Sequence, residues 1–298
     1  MTFRGVLVVG ATGTQGGAVA TRLLDEGTVD VYALTRDPDS GAARELEDRG
    51  AIVVQGDLWE PGTLLDAMDP VDAVFAMTDY WEAGLDAEVS QGVNLANAAA
   101  RADIDHVVFS SVVGATRDTD APMLASKGRI ESHLRGMDLP TTVLRPSYFM
   151  QNFELRRADV TDGTLALPLA PGTRLPLTDA VDLGRLVARI LDAPERYRGK
   201  AIPLAGEELT LTEMAAVFGE ALDRDLETVH VPIDVARSQV GDDYAALFEW
   251  YNDDAPGGLV GPLRHRLDFE PTPLSAYLDR NDWGRPELPG AWDAKPVQ

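Results

Sequence analysis

The stretch Gly5-Val6-Leu7-Val8-Val9-Gly10-Ala11-Thr12-Gly13-Thr14-Gln15-Gly16 decides the fold. Its apolar run Val6–Val9 reads as a buried strand, and Gly10 stops that strand in a turn. Beyond the turn an amphipathic pattern near Gly16–Glu26 predicts a helix. The three glycines have different uses there. Gly10 allows the tight turn, Gly13 the close approach of a pyrophosphate to the backbone, and Gly16 close packing of helix on strand. Phosphates held at this place would meet the free N–H groups and positive dipole end of the helix. Spaced glycines also occur in plain turns; the position between a first strand and a helix makes this one a dinucleotide-binding fingerprint.

Outward from the turn, short apolar runs alternate with amphipathic stretches, which predicts parallel strands joined by crossover helices. The expected strands are Val6–Val9, Val31–Leu34, Ile52–Val54, Ala73–Ala76, His106–Ser110 and Thr142–Leu144. Helices are expected near Gly41–Arg49, Gly62–Met68, Glu88–Ala102 and Ser126–Arg135. From about residue 157 the rhythm changes. Short β pieces at Gly163–Pro168, Lys200–Leu204 and Thr228–Val231 mix with helices near Asp182–Leu191, Thr212–Leu222 and Val235–Tyr251. The pattern predicts a doubly wound parallel-sheet α/β domain over 1–156 and a smaller α/β domain over 157–298, with parts near 179–204 returning to the first.

Composition narrows the classes. A chain of 298 residues with 45% apolar and 25% charged side chains is an ordinary globular protein that can bury a sizeable core. With no cysteine, disulfide frameworks, thiolate nucleophiles and iron–sulfur clusters are excluded. The four histidines are spaced unlike a metal site, and no metal is expected. No apolar run reaches the ~20 residues needed to span a bilayer, and the first strand breaks too early for a secretory signal, so a cytoplasmic location is expected. The net charge of −23 repels nucleic acid and anionic membrane, so neither is an expected partner, whereas a small-molecule cofactor and a small apolar substrate are. Its 32 Asp, 17 Glu and 23 Arg against three Lys read as adaptation to molar salt. In a chain that prefers Arg, the mid-chain Lys127 stands out.

The end of the second strand bears on the cofactor. In the NAD pattern an acidic residue about 20 positions past the glycines accepts from the ribose 2′-OH. That count lands on Arg36, whose planar fork suits a 2′-phosphate and favours NADP(H) over NAD(H). The neighbouring Asp37 could take a 2′-OH or start the next turn. The competing surface reading pairs Arg36 with Asp37 or Asp39.

The Gly-x-x-Gly-x-x-Gly spacing resembles the short-chain dehydrogenase superfamily in its extended or atypical branch. Within it, Thr78-Asp79-Tyr80-Trp81-Glu82, Glu88-Val89-Ser90-Gln91-Gly92, Ser110-Ser111, Lys127-Gly128-Arg129-Ile130-Glu131, Arg145–Asn152, Asp182-Leu183-Gly184, Leu209–Glu213 and Phe269–Leu274 resemble the NmrA-like family along essentially the whole chain. The Tyr-Trp-Glu motif resembles the branch whose human member senses NADPH levels. The resemblance implies a pyrophosphate held by Gly10, Thr12, Gly13, Thr14, Gln15 and Gly16, with Arg36 on the 2′-phosphate. It implies Asp57 and Leu58 at the adenine, Asp57 being otherwise a helix cap ahead of Pro61. Thr78, Asp79 and Tyr80 would line the nicotinamide ribose, Lys127 would reach its hydroxyls, and Tyr148 and Phe149 would close the pocket. Ser90 departs from the pattern, since relatives closest at the Tyr-Trp-Glu motif carry Lys there.

The usual dehydrogenase site places a Tyr four residues before the Lys. Here that position is Met123, which moves no proton, and Ser111 is left without a Tyr in register. Two functions therefore stay open. One is a redox-cofactor sensor or regulator that binds NADP(H) without turnover. The other is an NADPH-dependent reductase of a quinone or other small apolar substrate, either with Lys127 as proton donor or with no protein acid. Trp250 and Tyr251 could line a substrate pocket or pack in the core.

Overall fold

Glycine, proline or aspartate stands within a few residues of nearly every apolar run in the first half, so strands are short and end abruptly. A computed structural model describes residues 3–284. In chain order it contains β1 (Gly5–Val9), α1 (Thr14–Glu26), β2 (Asp30–Thr35), α2 (Gly41–Asp48), β3 (Ile52–Gln55), α3 (Pro61–Met68), β4 (Ala73–Ala76), α4 (Tyr80–Ala83), α5 (Leu85–Arg101), β5 (His106–Ser110), α6 (Pro122–Arg135) and β6 (Thr141–Pro146). There follow β7 (Tyr148–Phe149), a 3-10 turn (Met150–Arg156), α7 (Arg157–Thr161), β8 (Thr164–Leu167), β9 (Leu175–Thr178), α8 (Ala180–Asp192), α9 (Pro194–Tyr197) and β10 (Ala201–Leu204). The remainder holds β11 (Glu207–Leu209), α10 (Leu211–Leu222), β12 (Glu227–His230), α11 (Ile233–Val240), α12 (Asp242–Asp254), α13 (Val260–Leu267) and α14 (Leu274–Arg280).

The chain forms two compact units. The first takes residues up to Ala115, then Ser126–Pro146 and Ala180–Pro203. Its sheet has the order β10-β6-β5-β4-β1-β2-β3, with β1 to β6 paired in parallel. The order reverses beside β1, which is the switch point of a doubly wound Rossmann-like sheet and the usual place for a ligand crevice. Leu7, Val9, Leu34, Val74, Val107 and Phe109 from the strands pack against Leu64, Leu95, Ile130 and Leu134 from the helices. The second unit takes Thr116–Ala125, Ser147–Asp179 and the described residues from Leu204 on. It carries the small sheets β11-β9-β7 and β12-β8, with an aromatic core around Phe153, Phe218, Phe248 and Trp283. The seam thus falls at Pro146, ten residues before the expected one, because β7 pairs with β9 rather than extending β6. Residues 285–298 of the expected second domain lie outside the described ones.

One expected helix is two. The stretch Val235–Tyr251 is interrupted at Gly241, whose φ of 100° no helix accommodates, so α11 ends and α12 begins there. Among the described residues no helix is long and apolar enough to cross a membrane, and no cluster of acidic or histidine side chains could hold a metal ion.

Candidate functional site

The glycine turn is tight on its inner side and exposed on its outer one. Gly10 takes a left-handed φ of 68°, and a Cβ there would collide with Met77 Sδ at 2.6 Å. At Gly16 a Cβ would lie 2.2 Å from the Gly10 carbonyl oxygen, so α1 sits directly on the end of β1. Gly13 needs neither excuse. Its backbone is extended, and a Cβ would meet only the Gly10 carbonyl oxygen, at an ordinary 3.5 Å. What a side chain would obstruct there is the outer face of the turn, where Thr12 and Gly13 are exposed. No side chain caps the α1 N-terminus and no acid stands in its first turn. The turn therefore fits an anionic pyrophosphate. Thr14 begins the helix half-buried. Gln15 turns inward, its Oε1 accepting from Ser110 Oγ at 2.7 Å, so it braces the turn against β5.

Arg36 leaves the carboxyl end of β2, next to the strand that carries the glycine turn. It pairs with neither Asp37 nor Asp39. Asp37 caps its own turn through the Asp39 amide, and Asp39 pairs with Arg44. Instead Arg36 is bidentate to Glu82, with Nη1 on Oε1 and Nη2 on Oε2 at 3.2 Å. The Glu82 hydrogen bond, with Asp57 and Asp79 nearby, holds the guanidinium above its ordinary range. Asp57 closes an Asx turn onto the Trp59 amide at 2.9 Å, and the cap of α3 is Glu60, so the helix-cap reading of Asp57 fails. Leu58 is half-buried, its carbonyl accepting from Asn94.

The Thr-Asp-Tyr-Trp-Glu segment splits into two jobs. Asp79 accepts from the amides of Trp81 and Glu82 and so caps the four-residue α4. Burial pushes the Asp79 carboxyl up, against those amides and the Lys127 charge. Tyr80 is buried with Trp81 edge-on to it. Thr78 faces inward. Lys127, 1% exposed, donates to the Thr78 carbonyl at 2.7 Å and its Oγ1 at 3.0 Å, and pairs with Glu88 Oε1 at 2.7 Å. Glu88 also accepts from Thr78 Oγ1 and from Ser126 Oγ. An ammonium has three protons, and three acceptors surround this one.

Ser111 is equally engaged, donating to Glu131 Oε1 at 2.6 Å. Glu131 in turn holds Arg145 in a bidentate pair. Ser90 stands exposed on α5, bonded to the carbonyl one turn earlier. In the second unit, Phe149 is fully buried, and Tyr148 packs edge-on to Phe153, Phe248 and Tyr251. Burial, aided by Tyr244, lifts the Tyr148 hydroxyl well above the ordinary range. Trp250 and Tyr251 are buried in that unit, the core-packing alternative.

Glu82, Glu88 and Glu131 were missed as site residues, although all three lie in the quoted motifs. One signal was available for Glu88: a lone lysine on a helix bounded by buried residues requires a carboxylate partner.

The NmrA-like family profile matches residues 3–278. An NAD(P)H azoreductase of Xenophilus azovorans is 32% identical over 234 residues, 78% of this chain and 79% of that protein. The NADPH-dependent quinone oxidoreductase of Escherichia coli, solved with NADPH, superposes with a TM-score of 0.78 at 20% identity, covering 93% of this chain and 99% of that one. NmrA, a negative transcriptional regulator solved with NADP, gives 0.73 at 23% identity, covering 95% and 92%. At such identities the structural likeness concerns the fold.

Proposed function

The chain belongs to the NmrA-like family, and from that premise we propose that it binds NADP(H) at the switch point of its first unit and acts as a redox-cofactor sensor or regulator. Gly10, Thr12, Gly13, Thr14 and Gly16 cradle the pyrophosphate, with Gln15 bracing them, and Arg36 takes the 2′-phosphate. Asp57 and Leu58 flank the adenine; Thr78, Asp79 and Tyr80 line the nicotinamide ribose. When bound, the nicotinamide supplies a hydride donor or acceptor.

The observation that carries the sensor reading is the buried Lys127–Glu88 pair. Lys127 spends its protons on Thr78 and Glu88 and serves as a positioning residue for the β4 end rather than as an acid. With Met123 in the place of the usual tyrosine and Ser111 donating to Glu131, neither of these two positions of the usual dehydrogenase site supplies a substrate proton. A second reading, an NADPH-dependent reductase whose acceptor needs no protein acid, is favoured by the 32% identity to an azoreductase. A cytoplasmic site of action and adaptation of the acidic surface to molar salt belong to the same proposal.

Titration of the purified protein in molar salt with NADPH and NADH, followed by an azo-dye and quinone panel, decides. Saturable binding that prefers NADPH, with its absorbance band stable in every acceptor, supports the sensor. Steady bleaching with any acceptor establishes the reductase instead, and NADPH affinity that is unchanged in Arg36→Ala removes Arg36 from its role.

A further inference from the structure

The donor fork meant for a phosphate already holds an anion. Arg36 and Glu82 lie 46 positions apart in sequence and meet in a bidentate pair. The Glu82 carboxylate thus occupies the Nη1 and Nη2 groups, one of the pairs of parallel N–H donors a guanidinium offers for planar recognition of a phosphate. Its backbone is fixed, since the Asp79 cap holds the Glu82 amide within α4. The pair is open to solvent, with side chains 63% and 42% exposed. Exposed pairs of this kind are weak enough to exchange.

We propose that Glu82 is a specificity-determining residue: its carboxylate occupies the Arg36 fork and has to give way before that fork can take the 2′-phosphate of NADP(H). This rests on the reading of Arg36 as the 2′-phosphate site. NADH carries no such phosphate and leaves the Arg36–Glu82 pair intact. Glu82 therefore lowers affinity for the phosphorylated dinucleotide alone, and Asp57 and Asp79, which also face Arg36, add to the negative field a phosphate must enter. The same exchange ties phosphate occupancy to α4, the element that carries Glu82.

Calorimetric titration with NADPH and NADH tests this on wild type, Glu82→Gln, Arg36→Ala and the double variant. Glu82→Gln is expected to tighten NADPH by at least about threefold, the scale of one exposed ion pair, and to leave NADH unchanged. In the Arg36→Ala background the gain should vanish. Unchanged or weaker NADPH binding by Glu82→Gln, equal tightening of both dinucleotides, or a gain that survives without Arg36 each overturns the proposal. Those outcomes leave NADPH binding itself standing; absence of saturable NADPH binding by wild type overturns the parent reading, and this proposal with it.

Discussion

Lys127 and Glu88 neutralise each other where water does not reach, and each is tolerable only through the other. Removing one charge leaves its partner buried and uncompensated, at a cost of about 3–5 kcal/mol. Glu88→Gln is therefore expected to lower unfolding free energy by that amount in denaturant titration. Adding Lys127→Met should restore most of it, since the stranded ammonium is gone. A loss under ~1 kcal/mol for Glu88→Gln, the size of an ordinary substitution, would contradict the pairing. His106 makes an opposite case. Thr142 Oγ1 donates to the Tyr197 carbonyl at 2.9 Å, so it must accept from His106 Nε2, 3.0 Å away. That assigns the ring proton to Nε2 and leaves a bare, buried Nδ1 without a partner. Protonation would put a charge into that enclosure; burial first, then the nearby Arg198, push the pKa down to about 4. The unfolded chain, with an ordinary value near 6.5, binds the proton first as pH falls. Stability is thus intact above about 6.5 and declines toward pH 4, by on the order of 3 kcal/mol. His106→Gln should flatten this slope of unfolding free energy against pH; an unchanged slope would assign the acid sensitivity elsewhere.

Helix α8 lies on α1, and the contact is backbone on backbone. A Cβ at Gly184 would fall 2.5 Å from the Ala18 carbonyl oxygen, with no flexible side chain to yield. Gly184→Ala is expected to cost about 1–3 kcal/mol by overpacking. On α3, Gly62 has open space around it, so the same change there should gain up to ~1 kcal/mol of helix propensity. Comparable effects at the two sites would show that propensity, not contact, governs both. Elements of this kind were legible in advance when their signal was local. The runs from Val6–Val9 to Thr142–Leu144 became β1 to β6 nearly residue for residue, because a buried parallel strand is a continuous apolar run between breakers. Pieces as short as β7 and α4 escaped, since two to four residues carry no periodicity. The Asp79 cap could have signalled α4, and Gly241 the break between α11 and α12. At the site, the glycine turn was readable for the same local reason. The partners of Arg36, Lys127 and Ser111 were not, because each lies 20 to 49 positions away in sequence.

Charge acts on the whole molecule. An excess of 23 negative charges repels itself across the surface, and most of the ion pairs that oppose this are exposed and individually weak. Between about 0.1 M and about 1 M salt the screening length falls from about 10 Å to about 3 Å. Repulsion summed over many distant charges fades more than contact pairs do, so the unfolding midpoint should rise by several degrees over that range in KCl. A falling midpoint would mean that the Arg–carboxylate pairs outweigh the excess. The path of the chain sets a second global constraint. The seven-stranded sheet draws its outermost strand and the helix over α1 from residues 180–204, after an excursion through the other unit. During synthesis, then, the first unit waits with the edge of β6 unpaired until most of the polypeptide has left the ribosome, and its completion depends on chain that is translated long after its glycine turn.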